Sequence, residues 1–417
     1  MKRRSNIVFS ILLLLILTIP YSVAAEGFFD SYFDFADSFA DPNTGLTAFP
    51  ILQIPMGGRY EAMGTAFTAL ANDFSYMDAN PAASALLDRT QIALSHNAWI
   101  ADTSIDSAVF TMRNDNLGFG FGGKFLYVPF TEYNDWGDTE ASIYYSETLA
   151  TANISYNFFS DYYYDGLALG ANLKTAYRHI PAVIEPGQSA FGFLADVGLL
   201  TRFNFLKNYV AREKNFAVGL VARNLGISTD GEAVPSEASF GIAYSPIRPL
   251  TLTGDINYPF SLKPDVPAEN WYIATGMDLA VTNFFSLQSG FHYRGGNPRF
   301  SLGTELLTSD MSFNVNYTLG LDTQVAAPMD RLSVVASMDL GDRGRYARRQ
   351  MVEEQYIAGL EAYARGDLQL AVRHWQAVLE LDPDFTPATE NLDTALASLH
   401  LQKELTDINT LLDDENS

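Results

Sequence analysis

Charged side chains recur at one parity of a chain that otherwise alternates apolar and small residues. Lys124, Lys174, Arg178, Arg202, Arg223 and Arg294 are the cations of this set, and Asp196, Asp255 and Glu305 are its anions. Residues two apart on a strand project to the same side, so these groups share a face with Gly, Asn and Ser. Confined together, they pair with one another or line a solvated lumen, and a cation left over can receive a ligand carboxylate. Nothing else assembles into a reactive constellation. His96, His179, His292, His374 and His400 are scattered, and there is no HExxH, CxxC, P-loop or GxSxG. The GFGFGG run at Gly118–Gly123 has the look of a nucleotide fingerprint, but it lies inside an alternating segment and leads into no helix. The reading is of a non-enzyme with no cofactor and no metal site.

A change of period is what positions these charges. From Thr90 onward Phe119, Phe121, Phe125 and Tyr127 alternate with Gly118, Gly120, Gly122 and Lys124. Leu169, Leu173 and Tyr177 alternate with Gly170, Lys174 and Arg178, and Phe313, Val315 and Tyr317 with Asn314, Asn316 and Thr318. About fourteen such segments are delimited, at 90–102, 103–114, 116–128, 146–159, 165–180, 189–205, 216–226, 237–247, 249–260, 270–281, 284–295, 299–308, 310–321 and 330–341. One face is apolar and aromatic, the other small or polar. That rhythm predicts an all-β transmembrane β-barrel of about 14 antiparallel strands, with lipid outside and a polar or filled lumen. Val315 and Leu199 should then face lipid, while Asn316 and Gly198 face inward, where larger side chains are tolerated if the lumen has room. A soluble β-sandwich would need only half as many strands per face, and almost no helix interrupts 90–341.

The connections suggest an orientation. Those at 114–115, 246–248, 282–283 and 309 are tight, whereas those at 129–145, 227–236, 261–269 and 322–329 are longer. Short periplasmic turns opposite long outer loops are usual for bacterial barrels, and an even strand number brings both barrel ends to one side. Connections 160–164 and 206–215 are longer than this pattern prefers. The expected location is the bacterial outer membrane, with the N- and C-termini in the periplasm.

Composition agrees with export. Residues 1–25 read as a signal peptide: Lys2, Arg3 and Arg4 precede an apolar run, and Ser22-Val23-Ala24-Ala25 offers small residues for cleavage. Removing those three cations leaves 23 basic side chains against 49 acidic ones, which argues against nucleic acid as a partner. The chain contains no cysteine, and a hydrogen-bonded barrel needs no disulfide staple.

Residues 26–89 form a leader and an N-terminal helical plug. The leader is acidic and aromatic (Phe28, Phe29, Tyr32, Phe33, Asp30, Asp34), either a mobile periplasmic segment or part of the lumen filling. In the plug Ala62, Ala66, Ala69, Leu70 and Ala71 lie at helical spacing, and Asn80-Pro81 breaks the run before a second short helix at 81–87. The stretch MGTAFTALANDFSYMDANPAASALL, followed by a strand ending in HNAWIAD, resembles the opening of FadL-like outer-membrane transporters and their PorV/PorQ-type relatives. Met63, Gly64, Ala66, Phe67, Thr68, Ala69, Asp73, Asn80, Pro81 and Ala82 carry the resemblance, with Gly58 just upstream, while Tyr76-Met77-Asp78 departs from it. The whole looks like an uncharacterised spirochaete branch of that group. The resemblance implies passive uptake of a hydrophobic small-molecule ligand, a long-chain fatty acid or other lipid, gated by the plug.

After a linker at 342–350 comes a small α-helical unit, 351–412. Gly359, Ala362, Gly366, Asp367, Ala371, Trp375, Leu379 and Pro383 fall at the offsets of one tetratricopeptide (TPR) repeat. One repeat is too small to bury a core alone, so it should dock on the barrel or on a partner, such as a periplasmic protein or peptide. The rival function is therefore a structural or secretion-linked barrel that binds proteins through its loops and tail.

Overall fold

The computed structural model describes residues 41–99, 102–133, 136–182, 187–210, 213–295, 297–320 and 330–415. Residues 1–40, read from the sequence as a signal peptide and an aromatic leader, lie outside them.

Fourteen strands form a closed antiparallel ring. They are β1 (Gln91–Ala98), β2 (Ser104–Asn114), β3 (Leu117–Tyr133), β4 (Thr139–Phe158), β5 (Leu167–His179), β6 (Ala190–Phe203) and β7 (Phe216–Ser228). The ring continues through β8 (Glu237–Ile247), β9 (Leu250–Pro259), β10 (Tyr272–Ala280), β11 (Phe285–Arg294), β12 (Asn297–Leu307), β13 (Met311–Gly320) and β14 (Arg331–Asp339). Each strand pairs with the next, and β1 pairs with β14 in register from Gln91↔Asp339 to Ala98↔Leu332. Within the ring itself closure leaves no edge strand to template association.

The alternation read in the sequence is the alternation of the wall. On β5 Leu169 and Leu173 are exposed on the outside, while Asn172 and Lys174 are buried inside. Phe193, Val315 and Leu302 are likewise exposed outward, and Asp196, Asn316 and Ser301 are buried inward. A belt of bare apolar side chains around a closed barrel is stable only where something other than water covers it. Aromatic groups gather at both rims. Phe203, Phe205, Phe216 and Tyr244 form one cluster, and Tyr127, Tyr144 and His179 another at the opposite end.

One connection differs from expectation. The segment 129–145 is not a long loop, because β3 and β4 continue pairing through Val128↔Tyr145 and Pro129↔Tyr144 to Tyr133↔Thr139. The proline is tolerated for a local reason. β2 stops pairing with β3 at Tyr127, so beyond it Pro129 sits on a free edge where a missing N–H costs no ladder bond. The two strands therefore project beyond the wall as a ribbon.

Residues 41–87 pass through the lumen, but the expected continuous helix is absent. Helical structure is limited to a 3₁₀ turn (Pro50–Leu52), α1 (Gly58–Ala62), α2 (Tyr76–Ala79) and a 3₁₀ helix (Pro81–Leu86). Gly64, Thr65 and Ala71 take positive φ, which interrupts any helix across the alanine-rich run. The wall supplies the hydrogen bonds that a helix would otherwise have made internally.

Beyond β14 three helices follow: α3 (Arg345–Ala364), α4 (Leu368–Leu381) and α5 (Thr386–Glu415). The expected linker at 342–350 is shorter than read, since α3 starts at Arg345. Asp342 accounts for the early start: its carboxylate accepts the backbone N–H groups of Gly344 (2.9 Å) and Tyr346 (2.5 Å), satisfying donors in the first turn.

Candidate functional site: the filled lumen and its two mouths

The lumen segment descends from one mouth to the other. At the mouth away from the C-terminal helices, Asn43 donates to the Ala268 carbonyl (2.9 Å) and Asp41 accepts from Asn270 N (2.5 Å). Lower down, Ile51 N donates to Glu147 (2.8 Å) and Lys124 donates to the Ile54 carbonyl (3.0 Å). At the other mouth, the segment ends beside Leu87, where Thr90 pairs with Leu340 and Gly341 to begin the ring. The strand ends Gln91 and Asp339 thus share the helix-bearing side, whereas Asp41 lies at the opposite mouth. The N-terminus itself is outside the described residues.

Inward polar groups act chiefly as partners for the irregular backbone of this segment. Asp255 accepts the amides of Phe67 (3.0 Å) and Thr68 (2.9 Å). Asn153 donates to the Pro81 carbonyl (3.0 Å), Asn172 to that of Met77 (3.0 Å) and Arg223 to that of Asp78 (3.1 Å). Buried main-chain groups without such partners would each cost a lost hydrogen bond. Small inward residues provide the space. A methyl group on Gly170, Gly198, Gly219, Gly276, Gly290 or Gly303 would overlap the segment, with Gly219 against Thr68 and Gly303 against Ala62. Sequence-level alternation of glycine with apolar residues is therefore a mould for residues 62–85. The inward face has no spare room at Gly198, which abuts Asn80 and Pro81, or at Asn316, which is fully buried. Larger side chains are not accommodated there.

The motif residues of the segment are brought together. Met63, Ala66, Phe67, Asn80 and Pro81 are all buried, and Gly58 and Gly64 have positive φ where they touch Val335 and Phe291. Asp73 faces Arg59 at 3.6 Å and accepts Ser75 N (2.8 Å).

Of the inward cations, Lys124 pairs with Asp78 (2.6 Å), Lys174 with Asp196 (2.7 Å), Arg223 with Glu237 (2.5 Å) and Arg294 with Glu269 (2.7 Å). Arg178 pairs with Asp230 and with Glu232 (2.6 Å). Glu305 lies 3.6 Å from Arg59, which also pairs with Asp278 at 2.5 Å. Arg202 is the exception among the predicted cations: it has no ion pair among the described residues and donates to the Leu70 carbonyl at 3.4 Å. Several partners were missed in the sequence. Glu147 sits at inward parity on β4 and was there to be found, but Glu61, which holds Arg331 at 3.0 Å, and Asp78 belong to a segment without period.

Two cavities flank the segment. The one at the mouth away from the helices is about 60 Å³ and is bounded by Leu52, Ile54, Tyr60, Val234, Pro235 and Arg294. The other is about 700 Å³ and lies between the opposite mouth and the C-terminal helices. Its wall includes Leu70, Leu86, Arg113 and Arg202 from the barrel side and Arg345, Val352 and Phe385 from the helices. The helices dock there by several contacts. Phe385 packs on Tyr162 (ring centroids 4.9 Å), Arg348 lies 3.3 Å from Asp115, and Tyr163 meets Glu390 at 3.4 Å.

Within the helical unit, Trp375 and Ala371 are buried, and a side chain on Gly359 would strike the Trp375 ring. Gly366 takes φ 81° in the α3–α4 turn, and Pro383 stands between α4 and α5. Ala371 and Trp375 belong to one small core with Val352, Ala362, Phe385 and Ala388, while Gly366 and Pro383 are exposed at the turns between helices.

Among known proteins, residues 31–341 match an uncharacterised protein family, UPF0164. One UPF0164 protein of Treponema pallidum (strain Nichols) is 29% identical over 375 residues, covering 87% of this chain and 85% of its own. A second from the same organism is 25% identical over 386 residues, 86% of this chain and 77% of its own. Among solved structures, the Ralstonia pickettii toluene transporter TbuX aligns at TM-score 0.49 and 12% identity over 71% of this chain and 99% of its own. The Pseudomonas putida toluene transporter TodX aligns at TM-score 0.47 and 13% identity over 68% and 96%.

Proposed function

The chain belongs to the uncharacterised protein family UPF0164, and we propose that it is an outer-membrane barrel for passive uptake of hydrophobic small molecules, gated by its own lumen segment. One observation carries this reading. Among the described residues the segment fills the lumen between two cavities, so the described barrel has the form of a passage interrupted at one level. The apolar belt agrees with a membrane setting, and the signal-like residues 1–25 agree with export. The helix-bearing mouth then faces the periplasm. Long-chain fatty acids are the substrate class we favour.

The test is uptake of a fluorescent fatty acid by liposomes containing the full chain. Uptake should be nearly intact after removal of 345–417, because those helices lie beyond the last strand. Removal of 28–85 should leave ion conductance high and ligand control lost. Absence of uptake by the intact protein in well-folded form would end the transporter reading.

A second reading has its own observation. On α5, Leu401, Leu405 and Ile408 are exposed at helical spacing, an apolar stripe beyond the small core. A protein-binding barrel, with a TPR-like tail as its docking arm, would use such a face. Tail-dependent co-purification of a partner, without lipid uptake, would decide for it.

A further inference from the structure

We infer that the cavity between the barrel mouth and the C-terminal helices binds the anionic head group of an amphiphile, through Arg113, Arg202, Arg345 and Arg349. All four line the same space of about 700 Å³, two from strand ends and two from one face of α3. The inference rests on the proposed passage for its physiological sense, since it names the head group of what passes.

The contrast with the rest of the lumen is the first argument. Lys124, Lys174, Arg178, Arg223 and Arg294 each have a carboxylate within 4.0 Å, whereas among the described residues none of these four arginines does. The acceptors of Arg113, Arg202 and Arg345 are neutral carbonyls. Arg113 and Arg345 both donate to Leu87 O, at 3.4 and 3.3 Å, and Arg202 donates to Leu70 O at 3.4 Å. Arg345 also donates to Asp342 O at 3.0 Å and to Asp88 O, and Arg113 to Asp115 O at 2.5 Å. Of the five N–H donors on each planar fork, it is therefore those of Arg202 and Arg349 that are least used among the described residues. Cations gathered on one cavity repel, and a shared anion relieves that repulsion. The fork geometry matches carboxylate and phosphate oxygens.

The carboxylates nearby do not close the account. Asp115 is engaged by Arg348 at 3.3 Å, and Asp161 accepts the amides of Tyr163 and Tyr164 at 2.7 Å each. Asp88, Asp165, Glu213, Asp382 and Asp384 also border the cavity, and among the described residues none of them forms an ion pair with the four. Apolar groups lie beside the cations. Leu70 and Leu86 come from the lumen segment, and Val352 and Phe385 from the helices, giving an alkyl chain a surface next to its head group.

The experiment is equilibrium binding to the full chain in nanodiscs, using laurate, dodecyl phosphate, dodecanol and inorganic phosphate as probes. Laurate and dodecyl phosphate should bind about tenfold or more tighter than dodecanol, the effect of one charge-assisted contact. Competition by inorganic phosphate at low concentration identifies free phosphate as the ligand; competition by laurate alone identifies the amphiphile carboxylate. The double variant Arg113→Gln and Arg202→Gln should lose about tenfold in laurate affinity, while Arg248→Gln, on the β8–β9 turn outside the cavity, should not. Equal binding of dodecanol and laurate by the wild-type protein overturns the inference, and that comparison holds even where the double variant fails to fold. Unchanged laurate affinity in a folded double variant also overturns it. Head-group selectivity without liposome uptake would remove the passage and leave the site; liposome uptake without head-group selectivity would do the reverse.

Discussion

Asn80 and Leu199 lie 119 residues apart in the chain and are joined by a hydrogen bond of 3.0 Å from the Asn80 amide to the Leu199 carbonyl. The same amide donates to Thr68 O at 2.9 Å, and its oxygen accepts Ala82 N at 3.1 Å. One side chain thus closes the lumen segment on itself, seats it on β6 and starts the 3₁₀ helix at Pro81. Asn80→Ala removes a cap and two buried hydrogen bonds, an expected loss of about 2–3 kcal/mol. Gly198→Val, which drives a side chain into Asn80, should cost about 1–3 kcal/mol by overpacking. Thermal titration of the heat-modifiable gel band measures both. A midpoint unchanged in either variant would show that the segment is not seated as described.

The two faces of the wall should fail differently. Val315 is 45% exposed on the outer belt, and arginine there should cost roughly 2–4 kcal/mol near a bilayer midplane. Asn316, its neighbour on the inside, is fully buried beside Thr318 and Ser333. Asn316→Arg should therefore also be damaging, by crowding rather than by lipid contact. Folding yield in thick and thin lipid vesicles separates the mechanisms: only Val315→Arg should depend on bilayer thickness.

The strand set was legible because period two survives wherever one face meets an apolar medium and the other a packed lumen. Phe193 and Asp196 on β6, or Val315 and Asn316 on β13, announce their sides by chemistry alone. The ribbon at 129–145 was hidden by Pro129, a loop signal whose missing donor has no consequence on an unpaired edge. The course of residues 56–80 was hidden more deeply. Ala62, Ala66 and Ala69 favour helix locally, yet Asp255, Asn153 and Asn172 offer main-chain partners from strands far along the chain. Local propensity could not register that competition. Arg202 could be assigned its face from parity, but not its lack of a carboxylate, which depends on Leu70 and α3 arriving from opposite ends of the sequence.

Asp342 gives the helical unit a defined acid response. The backbone N–H of Tyr346 holds its carboxyl below the ordinary aspartate value, with desolvation opposing and the N–H of Gly344 adding to the effect. A depressed folded-state value contributes stability above the unfolded value, about 3.9, and that contribution is lost as pH falls through the lower folded value. The start of α3 should therefore stay protected from proteolysis between neutral pH and about pH 4, then loosen below it. Asp342→Asn should abolish this acid step, leaving protection that varies little across the same range. An unchanged acid step in the variant would assign it to another group.

The lumen segment can be locked in place without altering the wall. Ser84 on the lumen segment and Ser155 on β4 place their hydroxyl oxygens 2.5 Å apart. The chain has no cysteine, so a Ser84→Cys, Ser155→Cys pair would be the only thiols present. Oxygen atoms this close place the two Cβ atoms within the range a disulfide of about 2.05 Å can bridge. If ligands pass by movement of residues 81–87, the oxidised protein should fold normally and bind ligand from the far mouth, yet release little into the vesicle interior. Reduction should restore uptake to near the wild-type rate, and each single cysteine variant should be insensitive to oxidant. A scaffold barrel would be indifferent to the lock, because partner binding by α5 requires no movement inside the lumen. Full uptake by the oxidised, verified cross-linked protein would show that this stretch is a fixed filling rather than a gate.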